Sequence, residues 1–166
     1  MEHKLIFDEE ITADRIAYVL SYVKVEDRRV HTCNVVNETI LESSIKCMAP
    51  SYTVKPISYL SSSELMISMA QACHILMDSY VRRPQFVYAS IINFEQLKVL
   101  RENHDVYFTD MAFKFYQKRP CGDYQLNIAL ENLKHLKDVF VAKFNFNVGE
   151  TVHGRFSAIV APSQFV

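Results

Sequence analysis

Residues 61–80, SSSELMISMAQACHILMDSY, form the longest stretch of the chain with a helical hydrophobic period. Ser61 is a suitable N-cap and Glu64 follows three residues later, which is the pattern of a capping box. The Arg-Arg-Pro sequence at 82–84 predicts the end of this helix. Most of the remaining chain has strand composition. The sequence therefore restricts the fold to one long helix packed against a sheet.

The predicted helix has a broad apolar face made of two neighbouring stripes. These stripes are Leu65, Met69, Ala72 and Leu76, and Met66, Ala70, Cys73 and Met77. Polar side chains line the other side: Glu64, Ser68, Gln71 and Asp78, with His74 at the margin. This polar side is either solvated surface or the lining of a reaction site, and the functional interpretation depends on which of the two it is.

The segments around the helix are predicted mainly as strands. Thr12 is placed to cap a first helix over 13–23, and LKVLREN at 97–103 is a short helical turn. The segments with strand composition or two-residue alternation lie at roughly 29–37, 39–48, 111–115, 124–131, 140–148 and 152–160. A turn is expected at 148–150. Pro50 and Pro56 enclose a loop or edge segment that carries Tyr52.

Length and composition indicate one ordinary globular domain over residues 1–166. The chain is 49% hydrophobic and 22% charged, and its formal net charge of -1 does not favour nucleic acid or an acidic membrane surface. It has no apolar run near the roughly 18 residues of a membrane span and no signal-peptide pattern, so we expect no membrane insertion and a cytoplasmic location.

The glycines and cysteines argue against cofactor and metal sites. Only 3 glycines occur, Gly122, Gly149 and Gly154, and their positions match neither a Walker A loop nor a GxGxxG fingerprint. The 4 cysteines are widely spaced, without CxxC or Cys/His clusters, so structural zinc is not expected. Cys73 is predicted to be a small apolar helix residue. We therefore expect no metal and no cofactor.

The order of elements predicts an α+β hot-dog fold, in which a curved antiparallel sheet wraps a long central helix. Edge strands and broad apolar faces in so small a sheet favour pairing with a second copy. We therefore expect a homodimer or a higher homo-oligomer.

Two segments resemble FcoT-type long-chain fatty acyl-CoA thioesterases. Residues 59–81, YLSSSELMISMAQACHILMDSYV, are similar to the helix opening of that family, His-Phe-Asn-x-x-Glu-Leu followed by Asn-Gln. Residues 113–160 follow its strand pattern, with a basic-plus-proline turn and a glycine turn before the last strand. The resemblance covers roughly residues 15–162 and is carried by pattern more than by identity.

The resemblance implies a set of site residues near the start of the helix. Tyr52 is similar to the tyrosine of the loop ahead of the helix, and Ser61 stands at the position of the family's asparagine. Gln71 keeps the glutamine of the Asn-Gln pair, whereas Ala70 replaces the asparagine, and His74 stands where a tyrosine is expected. The dehydratases of FabZ type differ more, because their helix glutamate is replaced here by Ile67 and no His-Phe-Pro-Gly motif occurs.

Thioester hydrolysis requires an oriented water, a base or acceptor, and donors for the oxyanion. His74 is the candidate base because the ordinary imidazole pKa of about 6.5 lies near cellular pH. Ser61 would orient water or bind the carbonyl, Tyr52 would donate a hydroxyl, and Gln71 would donate to a thioester oxygen. Each has a structural alternative: a histidine at the helix margin, an N-cap, a packed aromatic ring and a polar surface residue.

Substrate-binding candidates come from the end of the helix and its methionines. Arg82 and Arg83, together with Lys118 and Arg119, are candidates to contact the phosphates of coenzyme A or the acidic surface of an acyl carrier protein. A solvated helix terminus is the alternative role for the arginine pair. Met69 and the other methionines of the helix would line an acyl tunnel or simply pack in the core.

The favoured function is hydrolysis of acyl-CoA or acyl-carrier-protein thioesters in lipid or secondary-metabolite synthesis, at sites between two subunits. Two alternatives remain open. One is addition of glycine to an enoyl-carrier-protein substrate with product release, as in relatives of isonitrile lipopeptide pathways. The other is a non-catalytic hot-dog module that holds an acyl chain or a carrier protein.

Overall fold

The computed structural model describes residues 8–36, 39–49, 58–83, 92–102, 106–137 and 139–160. Tyr52 and the predicted loop around it lie outside these residues, as does Pro84.

Seven antiparallel strands form one sheet in the order β1-β2-β3-β5-β6-β7-β4. The strands are β1 (Asp8–Ile11), β2 (Val30–Val36), β3 (Ile40–Cys47), β4 (Val106–Phe115), β5 (Gly122–Leu136), β6 (Val139–Val148) and β7 (Val152–Val160). Gly149 provides the positive φ of +50° in the turn between β6 and β7, as the sequence predicts for 148–150. The antiparallel sheet is confirmed, with β1 as an additional strand.

Three α-helices accompany the sheet: α1 (Ala13–Val19), α2 (Ser62–Val81) and α3 (Phe94–Glu102). Thr12 caps α1 by accepting a hydrogen bond from the backbone N–H of Arg15, at 3.3 Å. The helix ends before the predicted limit of residue 23, because tighter turn bonds such as Ser21 N–H to the Tyr18 carbonyl replace the helical ones. A 3₁₀ turn at Val25–Asp27 then leads into β2.

Helix α2 packs on the inner face of the sheet through the stripe that contains Leu65 and Met69, both fully buried. The facing strand positions are apolar on every second residue, as in the burial pattern of β6. Phe144 and Phe156 stack on this face with ring centroids 4.7 Å apart. The central helix wrapped by a sheet is therefore confirmed.

The buried arc of α2 differs from the predicted one. The sequence predicts Met66 on the apolar face, yet Met66 is 42% exposed, and the adjacent Ile67 is 39% exposed. All four residues of the predicted polar side are buried instead: Glu64, Ser68, Gln71 and Asp78. The reason is that other elements cover this side and supply polar partners for it, so the helix turns the side of Met66, Ile67 and His74 outward.

Within the part of the chain that is described, no helix combines the length and apolar character required to cross a membrane.

Gly154 on β7 is required by a close approach across three strands. A Cβ at this position would lie 2.5 Å from the Phe113 Cβ on β4 and 2.6 Å from ring atoms of Phe146 on β6. Since the Phe113 Cβ is attached to strand backbone, it cannot move aside without shifting β4.

Substitution of Gly154→Ala is therefore expected to lower the free energy of unfolding by about 1–3 kcal/mol. The matched control is Ser157→Ala on the same strand, which removes a half-buried hydroxyl and is expected to stay within about 0.5 kcal/mol. Urea unfolding of both variants tests this, and equal stabilities for Gly154→Ala and wild type would contradict it.

Candidate functional site at the N-terminus of α2

A cavity of about 520 Å³ opens at the N-terminus of α2. Its lining residues come from the start of the helix and from the end of β4: Tyr59, Leu60, Ser61, Ser62, Ser63, Phe115, Tyr116, Gln117 and Lys118. We call it the α2 cavity. Ser61, which the sequence predicts as a carbonyl-binding residue, is one of its lining residues.

Backbone hydrogen bonds between the segment before α2 and the turn from β4 to β5 build the α2 cavity. The Leu60 N–H donates to the Arg119 carbonyl at 2.8 Å, and the Cys121 N–H donates to the Ser58 carbonyl at 3.0 Å. Tyr59 forms an isolated antiparallel bridge with Pro120. The segment before α2 is thereby held against the basic-plus-proline turn that connects β4 to β5, so the two walls of the cavity have a fixed separation.

The α2 cavity presents hydroxyl groups and positive charge. Ser61 Oγ accepts from the Glu64 N–H at 3.3 Å, which confirms the predicted N-cap, and it lies 3.0 Å from Ser63 Oγ. The N-terminus of a helix carries a partial positive charge. Lys118 Nζ lies 4.5 Å from the centroid of the Tyr59 ring and adds a full one. Such a lining suits a carbonyl oxygen or an anion, and its nine residues include no carboxylate, imidazole or thiol.

Glu64 lies directly beneath this first turn and does not complete the predicted capping box. Its carboxylate accepts instead from Arg29, at 2.8 Å from Nε and 3.3 Å from NH2, and from the Met48 N–H at 3.0 Å. Glu64 is 3% exposed and Arg29 is 6% exposed. A buried carboxylate requires such a cation and donors, which explains why it turns away from the Ser61 N–H.

Gln71 is also committed to internal hydrogen bonds. Its Oε1 accepts from the backbone N–H groups of Arg29 at 2.6 Å and Val30 at 3.4 Å, and its Nε2 donates to the Asp27 carbonyl at 2.9 Å. The side chain is 3% exposed. The structure thus places Gln71 between α2 and the start of β2, away from the α2 cavity.

Arg82 and Arg83 lie at the opposite end of α2, about 30 Å from Ser61 along the helix axis. Arg82 pairs with Asp78 at 2.7 Å and lies 4.4 Å from the centroid of the Phe94 ring. Arg83 is 7% exposed and pairs with Glu9. Neither arginine is brought together with the serines at the start of the helix.

Asp78 anchors this end of the helix, as Glu64 anchors the other. Asp78 has no exposed surface, and besides Arg82 it accepts from Arg15 Nε at 3.1 Å. Arg15 also pairs with Glu9 at 2.8 Å and donates to Ser79 Oγ at 3.2 Å. The group formed by these charges joins β1, α1 and the last turns of α2.

His74 and Met69, the remaining predicted site residues, also lie outside the α2 cavity. His74 is half-buried and contacts Tyr22 edge to face, with ring centroids 5.2 Å apart, and it lies about 20 Å along the helix from Ser61. Met69 is fully buried between α2 and the sheet. Of the predicted residues that are described, the structure therefore places only Ser61 and Lys118 in the α2 cavity.

Sequence reasoning missed most of the lining of the α2 cavity, including Tyr59, Phe115 and Tyr116. The sequence does carry one signal for this lining: Tyr59 directly precedes the predicted N-cap, and Lys118 and Arg119 form the predicted basic turn. Arg29, the partner of Glu64, had no local signal, since it lies 35 residues away in sequence.

Three cysteines, Cys33, Cys47 and Cys73, are buried thiols, and Cys121 is half-buried. Burial raises the pKa of Cys33, Cys47 and Cys73 from 9.0 to about 12, and burial also raises the pKa of Cys121. A raised pKa disfavours the thiolate, which is the nucleophilic form. Among the described residues, no three His, Cys, Asp or Glu side chains are grouped to hold a metal ion.

The raised pKa of Cys73 predicts a loss of stability at alkaline pH. Its thiol stays protonated in the folded state up to a pKa of about 12, whereas in the unfolded chain it ionises near its ordinary value of 9.0. The contribution is fully present below pH 9 and falls as pH rises toward 12, with a slope of about 1.4 kcal/mol per pH unit. Cys73→Ala is expected to make this decline shallower.

Urea unfolding between about pH 8 and pH 10.5 measures the slope. Cys121→Ala is the control, since Cys121 is less buried, and a smaller change in slope is expected. A Cys73→Ala variant whose stability declines with pH as steeply as that of wild type would contradict the assignment.

Comparisons with solved structures find matches at low sequence identity. A glutamine-to-alanine variant of a thioesterase from Pseudomonas aeruginosa matches with a TM-score of 0.52 and 10% identity, over 92% of this chain and 95% of that chain. A thioesterase from Haemophilus influenzae matches with a TM-score of 0.50 and 14% identity, over 90% of each chain. A sigma28-regulated virulence protein from Campylobacter jejuni matches with a TM-score of 0.47 and 11% identity, over 90% and 92%.

No protein-family model matches the sequence, and no curated protein matches it. The structural likeness confirms the predicted hot-dog fold. At these identities it shows the fold alone, and the resemblance to FcoT-type thioesterases stays a prediction.

Proposed function

We propose that this hot-dog protein binds acyl thioesters and hydrolyses them in the α2 cavity. The observation that supports this best is the position of the cavity: hydroxyls of Ser61 and Ser63, the positive end of a 20-residue helix and Lys118 meet beside one opening. Proteins of the same fold include thioesterases. The proposal retains Ser61 from the sequence prediction and gives His74, Gln71, Arg82 and Arg83 no direct role.

The chemistry requires little beyond positioning and oxyanion stabilisation. The thioester carbonyl oxygen would point to the first turn of α2, where helix N–H groups and a serine hydroxyl stabilise the developing negative charge. A water held by the serine pair attacks the carbonyl carbon, and the C–S bond then breaks. The hydroxide of that water stays on the acid, and its proton passes through the hydroxyls to the departing thiolate. Thiolate is a good leaving group, and the serine hydroxyl oxygens are the acceptors that the described lining offers for the water proton.

Lys118 is the candidate contact for the carrier. Coenzyme A and acyl carrier protein present the same phosphopantetheine arm, so one cation beside the cavity serves both. Lys118 and Arg119 lie in the turn that borders the cavity, which makes them better placed for this contact than the arginines at the far end of α2.

A second copy of the chain would complete the α2 cavity. Strand β4 is an edge of the sheet, with β7 as its neighbour. Exposed apolar side chains lie where β4 ends and α2 begins: Tyr59, Met66, Ile67, Phe115 and Tyr116. Pairing of two copies along β4 would remove the edge and cover these side chains, which supports the homodimer expected from the sequence.

The hydrolysis proposal predicts release of free thiol from acyl-CoA substrates of graded chain length. Ser61→Gly removes the hydroxyl, but glycine is an acceptable N-cap that costs only a few tenths of a kcal/mol. We expect Ser61→Gly to lower kcat/KM about 10²-fold while stability is nearly unchanged. Ser61→Ala is expected to lose as much activity and, in addition, about 1 kcal/mol of stability.

Two controls belong to the same assay. Lys143→Ala removes an exposed lysine from the outer face of the sheet and is expected to leave KM unchanged, whereas Lys118→Ala is expected to raise KM several-fold.

The alternative function, addition of glycine, is tested by incubating the protein with an enoyl thioester, with and without glycine, and analysing the products by mass spectrometry. Thiol release that is independent of Ser61 would end the assignment of this residue.

A non-catalytic binding module is the second candidate, and one observation favours it. Glu64 and Gln71 of α2 are engaged in internal hydrogen bonds, and the described residues of the cavity lining include no carboxylate or imidazole that could act as a general base. This function predicts that acyl-CoA binds and is recovered intact. Calorimetric binding without thiol release at any chain length would select it.

The homodimer is tested through β4. Phe115→Asp places a charge on a side chain that is 38% exposed at the end of this edge strand. We expect light scattering to show a monomer for this variant and a dimer for wild type, because an unpaired charge in an apolar interface is costly. Lys143→Glu is the control for a charge change elsewhere on the sheet, and a monomeric wild type would contradict the prediction directly.

A further inference from the structure

We infer that Arg29 and Glu64 are positioning residues for the α2 cavity: their buried ion pair holds the first turn of α2 where the serine hydroxyls meet the ligand. The inference rests on the proposed function, since it concerns the same cavity. It adds two residues that do not touch the ligand, and it gives the buried polar side of α2 a role beyond stability.

The pair is enclosed and well coordinated. Both Arg29 Nε and NH2 donate to the two carboxylate oxygens of Glu64, and the Met48 N–H donates to the same carboxylate. Arg29 NH1 donates to the Glu26 carbonyl at 3.3 Å. The carboxylate is thus held at once from the residue before β2 and from the residue after β3, so the Cα of Glu64 is fixed relative to the sheet.

Glu64 transmits this position to the cavity through the chain itself. It follows the three serines that line the α2 cavity, and its backbone N–H donates to Ser61 Oγ at 3.3 Å. Its carbonyl accepts from Ser68 Oγ at 2.9 Å, one turn further along. A shift of the Glu64 carboxylate therefore moves the capping hydroxyl that we assign to the thioester carbonyl.

Gln71 provides a second attachment two turns further along the same side of α2. Arg29 joins the two attachments, since its side chain binds Glu64 and its backbone N–H donates to Gln71 Oε1 at 2.6 Å. Two points of attachment on one side of a helix fix both its rotation and its position along the axis. A single apolar contact would leave both freer, because apolar packing is not directional.

The energetics of buried ion pairs indicate that Arg29 and Glu64 do more than stabilise the fold. Replacing a buried ion pair by apolar residues of similar volume is often neutral or stabilising, whereas removing one partner is strongly destabilising. The Arg29–Glu64 pair is therefore a costly route to stability alone. Unlike an apolar pair, a hydrogen-bonded ion pair also fixes the position of the adjacent helical turn.

The same helix offers a matched control at its other end. Asp78 is a buried carboxylate that is paired with Arg15 and Arg82, and it lies about 20 Å along the axis from Glu64. Glu64→Gln and Asp78→Asn therefore remove the same charge from the same helix, near the cavity in one case and far from it in the other.

The experiment compares these two variants with wild type in unfolding midpoint, in kcat and KM with an acyl-CoA, and in affinity for a non-hydrolysable S-alkyl-CoA thioether. Both variants are expected to lose stability. Glu64→Gln is expected to lower kcat about tenfold or to weaken thioether binding about tenfold, whereas Asp78→Asn stays within twofold. Equal effects of the two variants on kcat and on affinity would overturn the inference and leave the proposed function standing.

A double variant separates position from stability. Arg29→Met with Glu64→Leu replaces the pair by an apolar one, so the unfolding midpoint is expected to recover while kcat and thioether affinity do not. Recovery of activity together with stability would reduce the pair to a structural role. If Glu64→Gln fails to fold, the double variant tests the positioning role in its place.

Amide hydrogen exchange gives a readout that is independent of the proposed function. In Glu64→Gln, peptides covering 61–65 are expected to exchange at least tenfold faster than in Asp78→Asn, in which peptides covering 76–80 respond instead. If wild type neither hydrolyses nor binds the CoA ligands, the proposed function fails and this measurement still decides the positioning role. Uniform acceleration along α2 in both variants would contradict it.

Discussion

Arginine side chains from the N-terminal elements neutralise the two carboxylates that α2 buries, and the position of this helix depends on that pairing. Glu64 binds Arg29 near the first turn, and Asp78 binds Arg15 near the last. A buried carboxylate without a cation and donors is too costly to persist, so these contacts are conditions for packing α2 at all. The apolar stripe then closes on the sheet, and the α2 cavity is left at the end where the helix begins.

The function proposed for this cavity depends on donors more than on titrating groups. Thioester hydrolysis differs from amide hydrolysis in the ease with which the thiolate leaves, so stabilising the oxyanion supplies much of what is required. Ser61, the helix terminus and Lys118 are all of the donor or cationic type. The same lining would also hold a thioester without cleaving it, which is why hydrolysis and simple binding share one site and differ only in the fate of the bound molecule.

Secondary structure was largely predictable from the chain. The N-caps at Thr12 and Ser61 and the glycine turn at Gly149 depend on local chemistry, and local chemistry is visible in sequence. Two-residue alternation predicted β5 to β7 and the second half of β4, and strand composition predicted β2 and β3. The short strand β1 was missed because four residues give too little period to recognise.

The candidate site was less predictable, for two different physical reasons. The period of α2 identifies a polar side, but whether that side is solvated depends on partners 35 and 63 residues away in sequence, which a local pattern does not contain. The grouping of Ser61 with His74 and Arg82 failed for a simpler reason. A helix rises about 1.5 Å per residue, so residues separated by three or more turns cannot share a compact site on one chain.

The order of these charges along the chain has a consequence for biosynthesis. Both arginines precede α2, so a chain made from its N-terminus presents the cations before the carboxylates that they neutralise. When α2 leaves the ribosome, its acidic side chains already have binding partners in the nascent α1–β2 region. Strands β4–β7 follow α2 in the chain, so both arginines are available to its carboxylates before most of the apolar sheet has been made.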